Sequence, residues 1–584
     1  MTPWSTQRPI SPPGSAPTKA HGTANVSDPR ATGGPCGSDV DRATSPHDDQ
    51  LEGRPPPRSM SAVWWRLPSA AGDRPTYLAH ALALSALHGP GPWPEGGNPL
   101  PDEQPQARRK LIPDAVLDGI RTQHTRAHVS ECSGTAGASE LVDHLQTLVM
   151  MQPPTTTALQ RLHDVAVAAD RPLGIADNLG RSLRDRDLPA DRLRQVGVWL
   201  AEQGTRRSAV AVGVILLGLV GDLRDRELLL LLGALEDLTL YAAVALARSQ
   251  PDPDQAVFEL ARRVDGWGRI HTVGRLSHTD DPAIKAWLLR GGYRNRIMDE
   301  YLAHTAATVG DLASALTPNT VDEALLDGAG GILTALCRGG PAGDIRGYPA
   351  GPWVINRYLT HVGHRPPTLG RIRIVGTLRE FIASPRAAAL DWTAGERTRL
   401  QNVCDALTAQ ASWRQLVYQG LNSDDPAVFR RAIWPAETLG IPFADRTRTH
   451  LRNLPNDWNL WYSLVDGTDD IDGVLLLAAE LLPLAELVTG PSLEVGAGSE
   501  RPEHVLDLIV SRLDAHPGKG WPLIKVALSN STIRNRNMAL NALDAWTSEA
   551  VPDEAQVAIR DALPIEPDNR IRDRMRQLLE RWAP

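Results

Sequence analysis

The chain has 584 residues, of which 42% are hydrophobic and 22% charged, and its net charge is −8. That length holds several domains or one extended array. The acidic balance gives no electrostatic case for nucleic acid, although the 61 basic residues include only five Lys; the Arg are interleaved with Asp and Glu along the chain, as a GC-rich coding sequence produces.

Residues 1–112 are rich in Pro, Gly, Ser and Asp. Such a segment cannot offset its ordering entropy, so a disordered tail is expected there, with Trp64-Trp65 as its one apolar pair. Helical periodicity begins near Leu111. The spacing predicts helices over Ser139–Met151, Thr155–Ala169, Pro189–Glu202, Arg206–Val220, Arg226–Ala234 and Asp237–Arg248. The apolar run Ala209–Val220 is too short to span a bilayer, which takes about 20 residues, and reads as a buried helix.

Val264–Ala307 reads as three short amphipathic helices. Trp267, Ile270, Val273 and Leu276 mark one apolar face. Asp280-Asp281-Pro282 opens the second helix with a carboxylate cap and a Pro at the first helical position. Ile284, Trp287 and Leu288 form its buried stripe, and Gly291-Gly292 stops it. The third helix is placed on Ile297, Met298, Tyr301 and Leu302. Within this stretch Trp267, Arg269, Arg294, Asn295 and Arg296 combine an aromatic with guanidiniums, a combination that suits protein recognition.

Arg338–Pro352 is rich in Gly and Pro and divides an N-terminal half, 113–340, from a C-terminal half, 353–584, with 341–352 as the joint. Helices are expected at Val354–Gly363 and Leu369–Ala383. Thr393-Ala394-Gly395-Glu396 is a capping-box pattern. Asp424-Asp425-Pro426-Ala427 repeats the opening at residue 280, and Pro435 should kink or end the helix that follows. Thr489–Pro502 is a second Gly-rich joint. Near the end, Ser531–Trp546 and Asp568–Trp582 each place an Ile-Arg pair after small polar residues, with Ile533 and Ile571 lying 38 residues apart. The pattern Arg-Asn-Arg-x-Met occurs at both 294 and 534.

These last two segments, with 264–307, resemble HEAT and armadillo repeats: a polar turn, an aliphatic-Arg pair, then Ala and Leu at helical spacing. The resemblance implies an all-α fold, an α-solenoid of helical pairs at about 40 residues each. Such stacks present extended binding surfaces. A non-catalytic scaffold or adaptor binding a protein partner is the function this implies. Residues 264–303 are also similar to bacterial proteins named limonene hydroxylase. That similarity implies, as an alternative, an oxidoreductase acting on an apolar small molecule, and no catalytic residue carries over from it. A nucleic-acid-binding repeat protein is a second alternative, against which the net charge speaks.

No catalytic constellation stands out, and the reading leans against an enzyme. Gly518-Lys519 lacks the rest of a phosphate loop, Gly496-Ala497-Gly498 follows no strand, and neither HExxH nor GxSxG occurs. His361 with His364, and His271 with His278 and Asp280, read as ordinary polar positions rather than metal ligands. Asp466–Gly473 reads as a capped turn, because a calcium loop ending there would need Glu where Ala479 stands. No cofactor is expected. Cys36, Cys132, Cys337 and Cys404 are too few and too scattered for a metal motif or a disulfide scaffold, and a cytoplasmic, membrane-free setting is the expectation.

Overall fold

Capping residues set where the helices begin, and this is clearest where acids and hydroxyls were expected to cap. Asp281 Oδ1 accepts hydrogen bonds from the backbone N–H groups of Ala283 and Ile284 at 2.7 and 3.3 Å. Asp425 does the same for Ala427 at 2.8 Å. Thr393 and Glu396 form a reciprocal capping box. Each satisfies backbone donors that a helix end leaves unpaired.

In this computed structural model the described residues are 74–103, 132–151, 153–169, 172–466, 468–494 and 501–582. Among them the chain is all-helical, and the one β-type pairing is an isolated bridge between Glu494 and Thr532. No described helix is long and apolar enough to cross a membrane. The chain divides into two compact units at Val354/Ile355, a boundary that falls inside a helix.

The first unit contains α1 (Tyr77–His88), α2 (Cys132–Met150), α3 (Thr156–Ala168), α4 (Pro172–Asp185), α5 (Ala190–Gln203), α6 (Arg207–Val220), α7 (Arg226–Gly233) and α8 (Glu236–Ser249). It continues with α9 (Pro253–Arg263), α10 (Gly266–Arg275), α11 (Pro282–Trp287), α12 (Ala303–Val309), α13 (Leu312–Leu316) and α14 (Glu323–Arg338), and α15 (Gly351–Gly363) carries the chain into the second unit. Along α4, α6, α8 and α10 the even-numbered helices pack on one another in turn, α5 packs on α6, α7 and α9 pack on α8, and α3 skips ahead to α6. The run Ala209–Gly218 of α6 is buried on every side by those neighbours, which accounts for its unbroken apolar character. Gly213 lets α5 and α6 close up, since a Cβ there would lie 2.7 Å from the Ala201 nitrogen and 2.8 Å from the Gly197 oxygen.

Two expectations change in this unit. The tail expected to be disordered includes residues 74–103, which are folded: α1 packs on α5 and α7, and Tyr77, Trp93 and Leu100 are buried. Composition hid this, because few apolar residues are needed where a short segment lies across a surface that others have built. Trp64-Trp65 and the remainder of 1–112 lie outside the described residues. The third helix expected at 297–302 is a turn instead; a 3₁₀ turn covers Asp299–Tyr301 and the helix starts at Ala303.

The second unit contains α16 (Leu369–Ala383), α17 (Pro385–Ala388), α18 (Ala394–Thr408), α19 (Ala411–Leu421), α20 (Pro426–Thr438), α21 (Ala444–Asn453) and α22 (Trp458–Val465). After these come α23 (Ile471–Leu481), α24 (Pro502–Val510), α25 (Trp521–Leu528), α26 (Ile533–Ala545), α27 (Asp553–Ala562) and α28 (Asn569–Arg581). The same neighbour pattern holds from α20 through α22, α24 and α26 to α28. Pro435 does not end α20, which runs on to Thr438 and stops before Gly440 at φ +60°. The matched Arg-Asn-Arg-x-Met stretches are not structurally equivalent: 294–298 is a turn, whereas 534–538 lies within α26.

Candidate functional site

Two of the residues singled out in 264–307, Trp267 and Arg296, meet at one buried carboxylate. Glu236 opens α8 and is buried. Its Oε1 accepts the backbone N–H of Trp267 at 2.8 Å. Gly268, also at the start of α10, donates to the same carboxylate, and Arg296 pairs with its Oε2. Burial pushes the Glu236 carboxyl above its ordinary range, against the pull of Arg296 and the two N–H groups. Gly266, at φ +56°, and Gly96, at φ +69°, crowd this group; a Cβ on either would come within 2.5 and 2.7 Å of Glu236 atoms.

The remaining candidates brace the same knot. Asn295 Oδ1 accepts the N–H groups of Ile297 and Met298 at 3.0 Å each, and its Nδ2 donates to Tyr293 O and Met298 O. Arg269 donates to Val264 O at 3.1 Å and lies over the Trp287 ring at 5.2 Å. Trp267 is 2% exposed and packs against Tyr301 with ring centroids 5.3 Å apart. Arg294 lies at the surface, its Nε donating to Tyr293 Oη at 3.3 Å. Of these five residues, Trp267 is buried, whereas Arg294 and Arg296 are exposed, so the aromatic and the guanidiniums do not share one open surface. The acceptors of Glu236 are engaged by a guanidinium and two amides, so it ties the start of α8 to the start of α10 and to the turn at Arg296.

The histidine sets do not converge. His361 is buried while His364 is exposed. His271 is buried, and burial with Arg275 beside it lowers its pKa to about 3, whereas His278 and Asp280 face solvent. Among the described residues no group of three or more His, Cys, Asp and Glu side chains is arranged to hold a metal ion. The acidic loop is spent on ends and pairs: Asp470 caps Gly473 and pairs with Arg448, Asp472 pairs with Lys519, and Asp466 pairs with Arg512.

An open groove that periodicity did not single out runs along α15, α18 and α19 in the second unit. Its first part, about 760 Å³, has Leu359, Val403 and Leu407 as an apolar floor, with Thr398, Arg399 and Asn402 among its polar walls. It reaches Gln410, and at Ala411 a second hollow of about 760 Å³ begins, lined by Arg414, Gln415, Tyr418, Gln419 and Asn422. Those residues share one face of α19 by helical spacing, while Trp413, Val417 and Leu421 on the opposite side are buried. Tyr418 is 46% exposed. The signal was present in the sequence as the polar stripe of an amphipathic helix; what it could not carry is that no neighbouring helix covers this stripe.

No family model matches the chain, and no curated protein does. Among solved structures, the crystal structure of an engineered protein from the Northeast Structural Genomics Consortium matches with 16% identity over 76% of this chain and 98% of that chain. Its TM-score of 0.21 marks a superposition too loose to transfer fold or function.

Proposed function

We propose that the chain is a non-catalytic scaffold or adaptor, a HEAT-like α-solenoid in each unit, that binds a protein partner. The packing of alternate helices, α4, α6, α8 and α10 in the first unit and α20, α22, α24, α26 and α28 in the second, supports the solenoid reading. The observation that carries the binding reading is the groove: one face of α19 leaves Tyr418 exposed among side-chain amides, beside the hollow bounded by α15 and α18. An exposed aromatic rimmed by groups that both donate and accept suits a peptide main chain.

A photo-crosslinking residue replacing Tyr418 tests this. It should capture one partner protein in the source cells, and the same residue at the exposed Val557 of α27 should not. Filling the groove with Thr398→Trp should abolish the capture. Equal labelling at both positions, or capture that survives Thr398→Trp, counts against the reading.

A further inference from the structure

Resting on the groove reading above, we propose that the occupant is an extended peptide segment bearing Asp or Glu side chains. Acids outnumber bases in the chain, 69 to 61, yet no carboxylate lines either part of the groove. Two guanidiniums do. Arg399 lies near Glu396, whose pKa its charge helps to lower, and Arg414 donates to a neutral carbonyl, Leu439 O at 3.0 Å. The acids nearest in sequence are committed elsewhere: Glu396 accepts from Thr393 N and Oγ1 at 2.9 and 2.7 Å, Asp405 pairs with Arg379 at 2.5 Å, and Asp425 caps α20. Most other arginines with a described role are neutralised by a carboxylate, as Arg194, Arg226, Arg290 and Arg430 are. The lining thus carries two exposed guanidiniums and no carboxylate of its own.

Its length and chemistry indicate a peptide. From Gly395 to Gln410 the axis of α18 rises by roughly 22 Å at about 1.5 Å per residue, which an extended chain covers in about seven residues at roughly 3.3 Å each. Asn402 and Gln410 offer both donors and acceptors to main-chain groups along that path, and Gln415 and Gln419 do so in the second hollow. A single-stranded nucleic acid would call for a series of stacking aromatics and a dense row of cations, whereas the lining offers one aromatic, Tyr418, and two arginines.

The test is selection of a random octapeptide display library on the intact protein, followed by anisotropy titration of the winning peptides. Enrichment of Asp and Glu is expected, with affinity falling at least tenfold when those acids become Asn and Gln. Arg399→Glu with Arg414→Glu, both exposed positions, should weaken binding at least tenfold while the protein keeps its helical circular-dichroism spectrum, and should instead bind a peptide whose acids are replaced by Lys. Enrichment of basic or purely apolar peptides, no enrichment at all, an unchanged affinity in the double variant, or displacement of the peptide by octauridylate would each overturn the proposal. Capture at Tyr418 without selection of acidic peptides would leave the scaffold reading standing and remove only the assigned charge; loss of both would remove the groove as a site.

Discussion

Two carboxylates of the first unit illustrate how far surroundings decide the behaviour of a residue. Glu236 is buried, which raises its pKa, but Arg296 and two backbone N–H groups work against that rise. Glu202, at the end of α5, has a buried Oε2 with no hydrogen-bond partner among the described residues, and burial followed by the charge of Asp225 raises its pKa to about 7. In an unfolded chain the same carboxyl ionises near 4.5. Because the folded form holds its proton more tightly, this group favours folding least at high pH: its penalty is absent below about 4.5, grows as pH rises to about 7, and is constant beyond. Glu202→Gln should therefore raise the urea midpoint at pH 8 and leave it unchanged at pH 4. Equal shifts at both pH values would show that the carboxyl is not perturbed by its site.

At the scale of elements, the C-terminal helices are tied by one ion pair with little access to water. Arg536 and Glu566 are 0% and 1% exposed. Arg536 Nε donates to Glu566 Oε2 at 2.8 Å, Nη1 to Asn530 O and Ser531 O at 2.8 Å each, and Nη2 to Ser492 O at 2.7 Å. This joins α26, the turn before α28 and the segment paired through Glu494. Removing one partner leaves the other charge buried without an answer, so Glu566→Leu should cost about 3–5 kcal/mol. Arg536→Met with Glu566→Leu should cost less than either single change, read from chemical denaturation. A double variant as unstable as the sum of the singles would contradict the account. Arg296 occupies the same place in an identical sequence pattern and also meets a Glu, but from a turn and 60 residues away in the opposite direction along the chain. The pattern is shared; the geometry is not.

At the scale of the whole molecule, the first unit is not built by neighbouring helices alone. Residues 74–103 return to α5, α7 and α8, bringing Tyr77 to Asp102 with a 2.6 Å hydrogen bond, while Asp102 accepts the backbone N–H of Arg207 at 2.8 Å and so anchors the start of α6. Tyr77→Ala should destabilise this unit by about 3–5 kcal/mol, the usual cost of deleting a buried aromatic. Hydrogen exchange should then rise in α5 and α7 while α24–α28 stay protected. Unchanged protection in α5 and α7 would mean that the segment rests on the unit without supporting it.

The helices themselves were legible from the sequence because their causes are local. Leu369–Ala383 and the starts at Pro282, Ala394 and Pro426 follow from apolar spacing, capping side chains and a Pro at the first turn. The absence of strands among the described residues has the same origin, since no alternating pattern persists along the chain. Whether Trp267 meets solvent, whether residues 74–103 fold, and which face of α19 is left open are all matters of what lies across from each surface. Those partners come from 30 to more than 100 residues away, as with Trp267 and Glu236 or Asp102 and Arg207. Periodicity names the face that a helix must cover; only the packed chain supplies the neighbour that covers it, or leaves it bare.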